Sequence, residues 1–222
     1  MTPLCTLRRL VAVALVTLSL AACGSDVSTA FPAGLEPVEM STAPAPAPTA
    51  ADPYPEVLST LKGSADGRHW AHGTGYIHAP LARVYEAILD PDVATDRRRV
   101  AEWSTTPNSE PEYPHSFRIR NIVRDLITLE FDMSWRAGTA EGSETAPSVV
   151  VAVNQKTWGS TLVGEIQGAV VARAVDANNT RVELVRRLTA THVDEDDAEQ
   201  YLLDYFQSVR ARVRGDALPR YN

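Results

Sequence analysis

The sequence predicts an α+β domain in which an antiparallel sheet packs against one long C-terminal helix. Three observations carry that prediction. From Leu126 to Arg136, Ile127, Leu129, Phe131, Met133 and Trp135 alternate with Thr128, Glu130, Asp132, Ser134 and Arg136, which makes a strand with one apolar face and one wet face. Trp158-Gly159-Ser160 and Ala177-Asn178-Asn179 supply turn chemistry between further strand-like runs, as consecutive hairpins require. Beyond these the apolar period changes to three and four, through Ala198, Tyr201, Leu202, Tyr205, Phe206, Val209 and Val213, which is the stripe of a packed helix.

The remaining elements follow in order. Tyr54 to Lys62 reads as a short helical stretch, Gly63 to Gly67 as a turn and Arg68 to His78 as a strand. Pro80 suits a first helical turn, where its missing N–H costs nothing, and Leu81, Val84, Ala87 and Ile88 form a helical stripe behind it. Asp90-Pro91 starts a second helix, with Asp90 as N-cap and Pro91 at the first helical position, expected to reach Ala101. Strands are expected over His115–Val123, Ser148–Thr157, Thr161–Val175 and Arg181–Thr191. Asp194 to Asp197 open the last helix, Arg210, Arg212 and Arg214 close it, and Gly215 stops it, so the charges match the helix dipole. That match already accounts for the acidic run, and no metal site is inferred from it.

The N-terminus reads as an export signal. Arg8 and Arg9 precede an apolar run from Leu10 to Leu20 that is shorter than the ~20 residues a bilayer span needs. Leu20-Ala21-Ala22-Cys23 then resembles the lipobox of bacterial lipoproteins. The resemblance implies a diacylglyceryl group on the Cys23 sulfur, cleavage that removes residues 1–22, and acylation of the new amino group; two or more chains make a stable anchor where one is marginal. Gly24 rather than an aspartate follows Cys23, which by the same resemblance implies an outer-membrane, periplasm-facing location. Residues 23–55, rich in Ala, Pro, Ser and Thr, read as a tether of at most roughly 90 Å, and residues 56–222 as the folded domain. Loss of Cys5 with the signal leaves one thiol and no internal disulfide, so the domain must rest on its apolar core. The formal charge of −7 gives no electrostatic reason to bind nucleic acid or anionic headgroups. The expected membrane partner is reached through the anchor.

The order of elements, with the run Ile77-His78-Ala79-Pro80-Leu81 through Ile88-Leu89-Asp90-Pro91 and the later hairpin from Trp158-Gly159-Ser160 to Gly168-Ala169-Val170-Val171, is similar to the START-like (SRPBCC, polyketide cyclase-like) superfamily over about Arg68 to Arg214. That resemblance implies a helix-grip fold, a curved antiparallel sheet wrapped around the long C-terminal helix, with a cavity between them for an apolar ligand. Phe131, Met133, Trp135, Ile166 and Tyr205 would then form apolar walls. Leu162, Gly164, Ile166, Gly168, Val170, Ala172 and Ala174 share one face, and Gly164 and Gly168 serve either to bend the sheet or to leave room.

Three polar residues share the parity of apolar faces. Arg186 lies with Val182, Leu184, Leu188 and Ala190, Asn121 with Phe117 and Ile119, and Gln155 with Val151 and Val153. If no bulge reverses it, Arg186 points inward and needs a carboxylate, an opening to solvent or an anionic ligand group, with Asn121 and Gln155 offering hydrogen bonds. His69 and His72 fall on opposite strand faces, whereas His72 and His78 share one with Trp70, Thr74 and Tyr76, an amphipathic face more than a zinc site. Glu130, Asp132 and His115 are expected to face solvent. Ser160 lacks a nucleophile elbow, no catalytic residues are assigned, and no cofactor is expected. The resulting expectation is an anchored protein binding a hydrophobic or amphipathic small molecule, possibly lipid. An enzyme of the cyclase, aromatase or hydrolase type and a scaffold lipoprotein with a core filled by its own aromatics remain the alternatives.

Overall fold

The computed structural model describes residues 29–221, so Cys23 and the segment expected to be an export signal lie outside the described residues. The chain folds as β1 (Leu58–Ala65), β2 (Arg68–Ile77), α1 (Leu81–Ile88), α2 (Pro91–Ala94), β3 (Glu102–Pro107), β4 (His115–Arg124), β5 (Thr128–Ser143), β6 (Ala146–Gly159), β7 (Val163–Ala174), β8 (Thr180–Ala190) and α3 (Glu195–Arg214). One eight-stranded antiparallel sheet has the order β1-β2-β8-β7-β6-β5-β4-β3 and curls around α3. This is the helix-grip α+β arrangement that the sequence led us to expect.

Several elements differ from expectation, each for a local reason. Residues 54–62 form no helix. Asp66 (φ 53°) and Gly67 (φ 73°) make a tight turn with both central residues left-handed, and that turn pairs Leu58–Ala65 with β2 as a hairpin. The second helix ends at Ala94 instead of Ala101. Thr95 is extended (ψ 132°), its hydroxyl donates to the Pro91 carbonyl (2.9 Å), and the chain continues to an unforeseen edge strand, β3, on β4. α3 begins and ends as its charges require. Asp194 and Asp197 form a capping box, and Gly215 (φ 77°) closes the helix in the left-handed region, where a side chain would be strained.

The main core lies between the inner face of the sheet and the α3 stripe of Ala198, Tyr201, Leu202, Tyr205, Phe206 and Val209. A second, smaller core lies on the outer face, where Leu35 (1% exposed) packs on Val149, Val151 and Val171. The expected free tether through residue 55 is therefore, from Thr29 onward, a strap laid across the sheet. Its sequence is poor in large apolar residues, but a few contacts fix it. The Thr29 hydroxyl donates to Glu141 (2.6 Å) and accepts from Arg173 (2.6 Å). Glu39 pairs with Arg187, the Ser41 hydroxyl donates to the Gly73 carbonyl (3.0 Å), and the Thr42 N–H donates to His72 Nδ1 (3.1 Å). That donor fixes Nδ1 as an acceptor and puts the His72 proton on Nε2, which lies 3.1 Å from a Glu39 oxygen. Burial works against ionisation of Glu39, yet the hydrogen bonds from Arg187 and the His72 ring nitrogen beside it hold its carboxyl below the ordinary range.

Candidate functional site: a cavity between sheet and helix

The strand register builds the site. Ala71, Arg186, Gly168, Asn154, Trp135 and Phe117 sit side by side across β2, β8, β7, β6, β5 and β4. Gly168 has no side chain, and a Cβ there would lie 2.8 Å from the Val185 carbonyl oxygen and 3.0 Å from the Asn154 amide nitrogen. Its absence lets Arg186 reach across β7 to the side-chain oxygen Oδ1 of Asn154, a long contact at 3.5 Å. From the helix side, the guanidinium carbon stands 3.9 Å above the centre of the Tyr201 ring. Tyr201 donates its hydroxyl to the Ala94 carbonyl (3.1 Å), so the ring beneath the cation is itself held in place. Tyr201, Tyr205, Trp135 and Phe117 continue as a ladder of stacked rings 5.8–6.2 Å apart.

Above this floor opens a cavity of about 450 Å³. Ile119, Phe131, Met133, Trp135, Ile166 and Leu188 give it apolar walls, with Asn121, Asp96, Arg99 and Arg186 as polar lining. Its volume lies within the ~300–1,000 Å³ typical of small-molecule sites. The mouth is framed by Leu126 and Ile127 at the β4–β5 turn, Leu162 before β7, and Thr191 to Val193 before α3. Leu126 is almost wholly exposed (98%).

Arg186 is 7% exposed, and no Asp or Glu oxygen among the described residues lies within 4.0 Å of it. Its Nε has no hydrogen-bond partner. Asp96 is the carboxylate whose charge is felt with it. Burial raises the Asp96 carboxyl above its ordinary value, while the Arg186 and Arg99 charges and the backbone N–H groups of Arg98 and Arg99 (both 3.2 Å) pull it back only in part. Burial likewise pushes the Tyr201 phenol up to about 12, so the ring is neutral beneath the cation.

The inward positions of Arg186, Asn121, Phe131, Met133, Trp135 and Ile166 agree with the strand parity, and all six line the cavity. Asn121 donates to the Ile119 carbonyl (3.0 Å), which ties it into the wall. Gly168 and Tyr205 do not line the cavity; they lie under the floor, Gly168 beneath Arg186 and Tyr205 against Trp135. Gln155 is the clear correction: it is half-buried on the outer face, and its neighbour Asn154 points inward instead. β6 is apolar on both faces, Val150 and Ala152 toward α3 and Val149 and Val151 toward the strap, so alternation could not say which set was inside. Gly164 follows Val163 into a register shift that ends at Ile166, so Val163 and Ile166 both point inward. Asp132 is on the outer face as expected but not in solvent. It is 4% exposed beneath Arg120, with which it pairs, and Arg118 at 3.8 Å.

Asp96 and Asn154 were missed from sequence. No local signal marked Asp96, whose place depends on where the second helix ends, and for Asn154 the signal was the two-faced apolarity of its strand. Among the described residues no group of three or more His, Cys, Asp or Glu could hold a metal ion. His72 lies under the strap and His78 bonds the Tyr54 carbonyl through Nε2 (2.7 Å). No helix among the described residues is long and apolar enough to cross a membrane.

Solved structures share this helix-grip fold. The fold is similar to a STAR-related lipid transfer protein from Xanthomonas axonopodis, with TM-score 0.51, 11% identity and coverage of 72% of this chain and 95% of that one. It is also similar to the human StarD13 lipid transfer and protein localization domain, with TM-score 0.50, 8% identity and coverage of 73% and 85%. An aromatase/cyclase from a Streptomyces species aligns more loosely, with TM-score 0.43, 15% identity and coverage of 67% and 92%. No family model matches the chain, and no curated protein matches it. These identities carry the fold, not the activity.

Proposed function

We propose that this protein is a lipid-anchored envelope carrier that binds an amphipathic molecule, with the apolar part against Phe131, Met133 and Ile166 and an anionic carboxylate or phosphate group at Arg186. The observation that carries the reading is a guanidinium buried in an open apolar cavity with an unpartnered Nε and no carboxylate within ion-pair reach. A buried unpaired charge is expensive, and a ligand anion would supply the missing partner through charge-assisted hydrogen bonds. The names of the two lipid-transfer neighbours support the ligand class. The lipobox-like Leu20-Ala21-Ala22-Cys23 supports anchorage at Cys23 and an outer-membrane, periplasm-facing location. The scaffold alternative fares worse, because the chain's own aromatics stack under the cavity and leave it unfilled.

Arg186→Gln tests the reading when a fatty acid is compared with the fatty alcohol of equal chain length. Loss of a charged hydrogen bond worth ~1.5–3 kcal/mol should weaken acid binding by about 10- to 100-fold and leave the alcohol within about twofold. Equal losses for both ligands, or none for either in a folded variant, would sink the role of Arg186.

A further inference from the structure

The strap sets where an anchored molecule can present its cavity. Thr29 is held by Glu141 and Arg173, in the strand row Glu141–Val149–Arg173–Arg181 near the β5–β6 turn. The cavity mouth is at the other end of the same strands, around Leu126, Ile127, Leu162 and His192. β5 runs from Thr128 at the mouth to Glu141 beside Thr29, thirteen residue steps, which at ~3.3 Å each is a contour of about 40 Å along a curved strand, still well beyond the reach of the chain between Cys23 and Thr29. Thr29 is six residues from Cys23, a reach of at most ~20 Å. A leash of that length cannot raise the Thr29 end far enough for the mouth to be pressed end-on against the membrane that holds Cys23.

We infer that the docked strap turns a long Ala/Pro tether into a short leash, and that the anchored protein therefore exchanges its ligand with a lipid surface other than the one holding its anchor. This rests on the readings of Cys23 as lipidated and of the cavity as a carrier site. The rim fits a lipid surface better than a protein one: Leu126, Ile127 and Leu162 are exposed aliphatics. Protein hot spots are instead rich in Trp, Tyr and Arg, with Leu under-represented. The device is reversible in principle. If Leu35 left its seat on Val149, Val151 and Val171 and Glu39 left Arg187, the free chain would run from Cys23 to about Val57 and could span ~100 Å.

The test uses the chain as a bacterium matures it, with the mass of the N-terminal peptide showing the lipid on Cys23, reconstituted through that lipid into phosphatidylcholine vesicles. A pyrene-labelled fatty acid is loaded either into the carrying vesicles or into separate ones, and uptake is followed from each. Uptake from separate vesicles should be about tenfold faster per accessible lipid. A Gly/Ser insert of about twenty residues between Cys23 and Thr29, which leaves the strap docked, should reduce that ratio to about two, as should Leu35→Asp with Glu39→Ala, which frees it. Equal uptake from both sources with the native leash overturns the inference while leaving the carrier reading intact. A product without lipid on Cys23 overturns the anchor and the inference with it. Absence of uptake from either source, with lipid present, overturns the carrier reading. Uptake from separate vesicles only when an envelope protein is added would assign the rim to a protein partner and overturn the lipid-surface assignment.

Discussion

The two faces of the sheet are covered by unlike material, and they differ in what is left over. On the outer face the strap fills its site. Leu35 is seated among three valines, Glu39 answers Arg187, and the Thr42 N–H meets His72 Nδ1. On the inner face a twenty-residue helix spans a strongly curved sheet, and the mismatch of shape leaves a cavity with a cation that no described carboxylate reaches. A flexible segment can conform to a convex surface, whereas a rigid helix cannot follow a concave one along its whole length. Closure is thus the mark of the strapped face, and incompleteness the mark of the face on which we propose that a ligand binds.

Mutation should separate the two. Leu35→Ala removes a fully seated side chain and should cost about 3 kcal/mol in urea unfolding. Should it cost less than about 1 kcal/mol, the strap is not part of the cooperative unit and the contrast fails. Gly168→Ala should cost about 1–2 kcal/mol, because its Cβ would press on the Val185 carbonyl and on Asn154, and it should weaken fatty-acid binding by displacing the floor under Arg186. Arg186→Leu should move the other way on stability, by about +1 kcal/mol in the empty protein, since it relieves an unpaired buried charge while abolishing the preference for acid over alcohol.

Acidity should act on the faces in opposite senses. Asp96 has a raised folded-state value, so its ionisation favours the unfolded chain. Its contribution is unpenalised below the ordinary carboxylate range, and stability is lost as pH rises toward the raised value. Asp96→Asn should therefore be the more stable protein at neutral pH, with the advantage vanishing in acid. An ionised Asp96 also competes for Arg186, so fatty-acid affinity should fall as pH climbs through the Asp96 titration, and the Asn variant should lose that slope. Glu39 has a lowered value, so its support of the strap is present above the ordinary carboxylate range and lost as pH falls through the lowered one. The Thr42 amide resonance should report that smaller loosening in acid, and Glu39→Gln should remove it.

Much of the inner face was legible in the sequence because its signals are periodic. β5 alternates cleanly, α3 repeats at three and four, and Arg186 interrupts an otherwise apolar strand face, so its inward direction could be counted. The outer face was not legible. An Ala/Pro-rich segment has the composition of a tether whether or not it docks, and its docking depends on single residues such as Leu35 and Glu39 meeting partners more than a hundred positions away. The same concealment misplaced Gln155, because a strand covered on both sides carries no alternation to read. The helical stretch expected over Tyr54 to Lys62 gives way to β1 because the Asp66-Gly67 turn pairs Leu58–Ala65 with β2, a partnership set by the turn and not by any period within the segment.

By itself the sequence determined the α+β class, the long capped helix, the inward cation and the lipobox-like Cys23, because periodicity, end charges and short motifs are local properties of the chain. Only the tertiary structure decided that Arg186 rests on Tyr201 without a carboxylate, that Asp96 faces the same cavity, and that the tether is a strap ending far from the cavity mouth. Those facts depend on which surfaces meet when a curved sheet closes on a straight helix, and no local pattern encodes that meeting.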